Sequence, residues 1–129
     1  MKMANTELDK GLFKAAYEGD VNGMKEALEL GAEVDVKDEM DMQKTALIKA
    51  VENNNLDAAK FLIEKGAEVN SKDTGEQTSL LHAVYQQNVE MIKELIKAGA
   101  DPNHEKEGQT IIDIAKDRSL EVLKAVKGM

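Results

Sequence analysis

At 129 residues the chain is long enough to bury a core without staples, and the absence of cysteine rules out disulfides and thiolate metal sites. A formal net charge of −8, with the lysines spread along the chain rather than gathered in a patch, opposes a phosphate backbone, so no nucleic-acid partner is expected. No apolar run approaches the roughly 20 residues that span a bilayer, and the opening MKMANTELDK lacks a signal-peptide core, so a cytoplasmic location without membrane contact is expected.

In chain order, the first predicted element is a helix in NTELDKGLFKAA, ended by the polar turn EGD and followed by a second helix, VNGMKEALELGA. A polar extended stretch, EVDVKDEMDMQK, leads to Thr45 and a short helix in TALIKA; the turn NNN and the helix LDAAKFLIEKGA come next. The same order returns as EVNSKDTGEQ, TSLLHA, QQN and VEMIKELIKAGA, then as DPNHEKEGQ, TIIDIA and SLEVLKAVKGM. Gly31-Ala32, Gly66-Ala67 and Gly99-Ala100 recur at spacings of 35 and 33, and Thr45, Thr78 and Thr110 keep the same period. The repeat defines four units, roughly 5–37, 38–73, 74–109 and 110–129, with atypical end units as expected where one side faces water.

Each threonine is positioned to cap a first helix through its hydroxyl. Asp20, Asn55 and Asn88 are the expected caps of the second helices, whose apolar positions form one stripe: Val21, Met24, Ala27, Leu28, then Leu56, Ala59, Leu62, Ile63, then Val89, Ile92, Leu95, Ile96. Gly31, Gly66 and Gly99 end those helices where a left-handed residue is needed. Small pairs at Ala15-Ala16, Ala50-Val51 and Ala83-Val84 allow close backbone approach between neighbouring first helices.

The Thr-x-Leu-x-x-Ala frames TALIKA and TSLLHA, the frames GAEVD, GAEVN and GADPN, and Asp38 and Asp73 in the turns resemble the ankyrin repeat over nearly the whole chain. The frame's usual proline is Ala46, Ser79 and Ile111 here, its usual histidine is Ile48, Leu81 and Asp113, and the turn glycine kept as Gly108 is Glu76 one unit earlier. The resemblance implies an all-α fold, a helix-turn-helix solenoid of about four repeats with short projecting β-hairpin-like loops. It also implies a concave face, beside the hairpin tips, on which partners bind.

Two features invite a chemical reading. Ser79 and His82, three apart in TSLLHA, share a helical face as a nucleophile and its base would. In repeat register, however, Ser79 falls with Gly11, Ala46 and Ile111, while His82 falls with Lys14, Lys49 and Ile114, which predicts a helix-start position that tolerates small residues and a partly exposed surface ladder filled elsewhere by long cations. No motif supplies the orienting acid and oxyanion hole that catalysis would add. His104 has acids beside it at Asp101, Glu105 and Glu107, but two histidines without cysteine are a poor supply of metal ligands, and phosphate-binding glycine motifs are absent, so no metal and no cofactor is expected.

The column Lys25, Lys60, Lys93 and Lys124 is expected to be helix-propagating surface. Tyr17 and Tyr85 are more informative in a chain with two tyrosines, two phenylalanines and no tryptophan. With Glu52 they form one column, next to Lys14, Lys49 and His82, and tyrosine gives contact area at low entropy cost. The turn residues Glu18, Asn53 and Gln86 extend this strip, and Met40, Met42, Lys44, Thr74 and Gln77 are expected along its edge.

The sequence therefore predicts a non-enzymatic, monomeric module that binds another protein through this strip and the hairpin tips. Two alternatives stay open: a serine hydrolase- or esterase-like activity, natural or engineered, on Ser79 and His82 of a repeat scaffold, and a designed repeat scaffold without a ligand.

Overall fold

The computed structural model describes residues 5–129. Eight helices come in four antiparallel pairs: α1 (Glu7–Glu18) with α2 (Val21–Glu29), α3 (Ala46–Glu52) with α4 (Leu56–Glu64), α5 (Ser79–Tyr85) with α6 (Val89–Lys97), and α7 (Ile111–Lys116) with α8 (Leu120–Val126). First helices pack on first helices, α1 on α3, α3 on α5 and α5 on α7, and second helices follow, α2 on α4, α4 on α6 and α6 on α8.

Each first helix starts where the threonine places it. The hydroxyls of Thr45, Thr78 and Thr110 accept from the backbone N–H of Ile48, Leu81 and Asp113 at 3.2, 3.3 and 3.1 Å. Asp113 stands where the family frame has histidine, and its carboxylate accepts the Thr110 N–H in return, closing a capping box. That backbone hydrogen bond, with the Thr110 side chain behind it, holds the Asp113 carboxyl below the usual aspartate range. Thr6 and Asp9 make the same reciprocal pair at the start of α1.

Second helices are capped by Asp20 and Asn88, which accept from Gly23 and Met91. Asn55 differs from the expectation: its side chain does not cap α4 but donates to the Ala16 and Tyr17 carbonyls of the preceding pair, at 3.1 and 2.8 Å. The second helices end at Gly31, Gly66 and Gly99, with φ of +114, +89 and +100°, a conformation in which any Cβ is strained.

Between pairs the chain forms short hairpins. β1 (Lys37–Asp38) pairs antiparallel with β2 (Lys44–Thr45), and β3 (Glu105–Lys106) with β4 (Gln109–Thr110); the middle loop closes with a single bridge, Lys72 to Thr78. Successive loops are tied edge to edge. The Thr74 N–H donates to the Met42 carbonyl at 2.9 Å, and Nε2 of His104 lies 2.9 Å from the Glu76 carbonyl.

The core runs the length of the stack. Leu12, Leu47, Leu80 and Ile111 are buried on the first helices, and Met24, Ala59, Leu62, Ile92 and Leu95 on the second. The predicted stripe is centred one position off: Ala58 and Met91 are fully buried, while Val21, Leu56 and Val89 at the helix starts are only partly covered.

Candidate functional site

The predicted strip consists of the C-terminal halves of α1, α3 and α5 with the turns that follow them. Tyr17 and Tyr85 stand out from it, 54% and 40% exposed. Both are in the last turn of their helix, where the chain leaves the packed layer. Met40 projects from the first hairpin and is 91% exposed; Met42 beside it is half exposed, its methyl group against Gly75 of the next loop. Lys14, Glu18, Asn53, Thr74 and Gln86 are exposed as well.

Around these residues the structure uses side chains that the sequence reading left for a partner. The Asn53 amide donates to the Tyr17 carbonyl at 2.6 Å, and the Gln86 amide donates to the Glu52 carbonyl. Asn88 adds a bond to the Asn54 side chain at 3.0 Å. Because an amide side chain offers both donors and an acceptor, this column stitches each turn to the preceding pair. The result is a rigid base under both tyrosines.

The cation column requires the largest correction. Lys14 is exposed, but Lys49 is buried at 6% exposure, and the aligned Ile114 is buried too. The Lys49 ammonium lies 2.9 Å from Asp38 and 2.7 Å from Asp41, both in the hairpin folded over it, and 5.2 Å from the Phe13 ring centroid. Burial by itself would lower its pKa; the hydrogen bonds to Asp41 and Asp38 outweigh that and raise it above the ordinary lysine value. Asp41 is correspondingly held below the usual aspartate range by its hydrogen bond to Lys49.

Lys44 is only 12% exposed at its side chain and pairs with Glu52 at 2.8 Å and Asp41 at 3.5 Å. Neither Lys44 nor Glu52 is therefore an unengaged surface charge.

His82 is half-buried, with Nε2 at 3.4 Å from Asp73 Oδ2. Ser79 is buried at 1% exposure, in the same packed column as Ala46 and Ile111, so its hydroxyl is not presented to a substrate. The helical spacing that made the pair suggestive places one residue under the neighbouring helix and the other against the loop. Gln77 is half-buried and belongs to the same turn, its N–H donating to Asp73 Oδ1 at 3.1 Å.

One residue of the face was missed. Arg118, the single arginine of the chain, lies over the Tyr85 ring with its guanidinium carbon 5.2 Å from the centroid. The signal was present in the repeat register: Arg118 occupies the column of Glu18, Asn53 and Gln86, whose side chains in the second and third pairs reach back onto the pair before. Among the described residues no group of three or more histidine, cysteine or carboxylate side chains is placed to hold a metal ion, and no helix is long and apolar enough to cross a membrane.

Stacked helix pairs joined by projecting hairpins, with turns stitched to the pair before, define a helical repeat solenoid. The family profile described as "Ankyrin repeats (3 copies)" matches residues 3–73, and the one described as "Ankyrin repeat" matches residues 76–107. The chain belongs to the ankyrin repeat family, whose members are generally non-enzymatic protein-interaction modules. It is also similar to the Arf-GAP with coiled-coil, ANK repeat and PH domain-containing protein 2 of Rattus norvegicus and of Mus musculus, 39% identical over 62 residues in each case. The aligned stretch is 48% of this chain and 8% of either relative.

Proposed function

We propose that the chain is a non-enzymatic protein-recognition module whose partner lies across the ends of α1, α3 and α5, the concave side, with Tyr17, Tyr85 and Met40 as anchors. The observation that carries this reading is the pair of exposed tyrosines on one column, each standing on a turn stitched to its neighbour by Asn53 or Gln86. Large apolar side chains held on a rigid base give contact area with little ordering cost on binding. Arg118 over Tyr85 adds a cation at the rim, where arginine and tyrosine are favoured in interfaces.

The membership of the strip is narrower than the sequence alone implies. Lys14, Tyr17, Glu18, Met40, Met42, Thr74, Tyr85 and Arg118 face outward; Lys44, Lys49, Glu52, Asn53, Gln77, His82 and Gln86 mainly hold the scaffold. The partner is another protein, in keeping with a net charge of −8 that disfavours nucleic acid and anionic membrane surfaces. A cytoplasmic setting suits a chain without cysteine.

The test is a pull-down from cell extract with wild-type, Tyr85→Ala and Lys60→Ala chains as bait. A partner bound through this face is weakened by at least about 1 kcal/mol by Tyr85→Ala and little by Lys60→Ala, which lies on the second-helix side. Loss with Lys60→Ala and retention with Tyr85→Ala would place the partner on the opposite face.

A further inference from the structure

The first helix pair presents, on the side away from α3 and α4, the same positions that later pairs bury. Ala46, Ala50, Ala58 and Leu62 in the second pair are 0% exposed against the first, and Ser79, Ala83, Met91 and Leu95 in the third are at most 1% exposed against the second. Of their equivalents, Gly11 is exposed and Gly23 half-buried, and together with Ala15 and Ala27, at 5% and 6% exposure, they line an open groove of about 310 Å³. Its floor is small and apolar; among the described residues its rim carries Glu7, Glu18, Asp20 and Glu26 against one cation, Lys14.

The last pair presents the opposite charge on the opposite end. In repeat register, allowing for its one-residue-shorter turn, Lys127 stands where α2, α4 and α6 have Leu28, Ile63 and Ile96. Lys116 stands where the first helices have Ala16, Val51 and Val84. Both lysines are exposed, beside the half-buried Ile112 and Leu123; Lys116 lies 3.7 Å from Asp113, so Lys127 and Lys124 supply the face's unshared positive charge.

The stack itself shows how such ends meet. Lys60 of α4 faces Glu94 of α6 at 3.9 Å across the junction between the second and third pairs. Lys124 is the equivalent of Lys60 and Glu26 the equivalent of Glu94.

We propose that copies of this chain associate head to tail: the last helix pair of one copy stacks on the groove of the first pair of the next, with Lys124 of one facing Glu26 of the other. Lys127 falls beside the same contact, and Glu18 and Asp20 face the Lys116 side. The contact is heterologous and does not close on itself, so association grows with concentration rather than stopping at a dimer. The monomer expected from the sequence is then the dilute limit. Lys14 and Glu18 belong both to the groove rim and to the concave strip, whereas Tyr17, Met40 and Tyr85 do not line the groove.

Sedimentation velocity of the full chain over a concentration series tests it. At about 20 mM salt the weight-average sedimentation coefficient rises with concentration, and at about 0.5 M salt, where exposed charges are screened, it returns toward that of one chain. Glu26→Lys and Lys124→Glu each abolish the rise, because like charges then meet at every junction. An equimolar mixture of the two variants restores it, since each junction again joins opposite charges. Unchanged far-ultraviolet circular dichroism shows that both variants fold; both positions are exposed. A single species with the mass of one chain at low salt up to about 1 mM protein, a concentration that would reveal even very weak contacts, overturns the proposal. So does association that Glu26→Lys leaves unchanged, or a mixture that fails to restore it.

Discussion

The loop over α3 and the loop over α5 solve one problem with different materials. In each, an aspartate uses one carboxylate oxygen to shape its own turn: Asp38 Oδ1 accepts the Met40 N–H at 3.0 Å, and Asp73 Oδ1 accepts the N–H of Gly75 at 2.8 Å and of Gln77 at 3.1 Å. The other oxygen turns to the same column of the helix beneath, Asp38 Oδ2 to Lys49 at 2.9 Å and Asp73 Oδ2 to His82 at 3.4 Å. The first loop is two residues longer and contributes a second carboxylate, Asp41, to its cation.

A buried ammonium needs close, multiple anionic partners to offset desolvation, whereas an imidazole can be neutral and needs one. The difference shows that loop length and helix residue are matched, and that the lysine is buried because the loop supplies for it.

Removing the buried cation breaks the comparison most severely. Lys49→Ala leaves Asp38 and Asp41 facing each other without it and costs about 3 kcal/mol, toward the low end for a broken buried pair because Asp41 stays partly exposed. His82→Ala costs about 1 kcal/mol, because Asp73 keeps its backbone hydrogen bonds. Urea denaturation measures both, and equal losses would show that the loops are interchangeable.

The helix starts should behave alike in the two regions. Thr45→Ala and Thr78→Ala each remove a buried cap worth about 1 kcal/mol, so their urea midpoints should shift together; a large gap would mean that the loop, not the cap, sets the helix start.

Titration separates the loops further. Asp41 has a folded pKa below its ordinary 3.8, so its contribution is full above that pH and is lost as pH falls through the folded value. Lys49 has a folded pKa above its ordinary 10.5, so its contribution is full below that pH and is lost as pH rises through the folded value. Wild type should exceed Asp41→Asn in stability by up to about 1 kcal/mol at neutral pH, the carboxylate being partly screened by solvent. That gap should close in acid below about pH 4. A gap that persists at pH 2 would mean that the aspartate acts through its shape rather than its charge.

The smallest effect concerns the turn itself. Glu76 sits at φ +62° where the last loop has Gly108 at +83°. Relief of about 1–2 kcal/mol of left-handed strain, less about 0.5–1 kcal/mol for the added backbone freedom of glycine, predicts a net gain near 0.5 kcal/mol for Glu76→Gly. The exposed Lys72–Glu76 pair at 2.8 Å is lost in that change. A thermal midpoint that falls instead would show that this ion pair outweighs the strain.

By itself the sequence determined the period, the order of elements, the threonine caps and the glycine stops, and the apolar stripe to within one position. All of these follow from propensities and spacings within a dozen residues, where chain neighbours are also neighbours in space. Tertiary structure decided which polar side chains remain available. Asn53, Asn55 and Gln86 were legible as turn residues, but their partners, the carbonyls of Tyr17, Ala16 and Glu52, lie 34 or more residues away and exist only once the pairs are stacked. Lys49 carries no local mark of burial, since a lysine on a short helix reads as surface until a hairpin carrying two carboxylates closes over it. Ser79 and His82 were neighbours on a helical wheel, but one side of that wheel is occupied by the next helix. Side-chain direction is periodic and can be read along the chain; what occupies the space it points into depends on the rest of the fold.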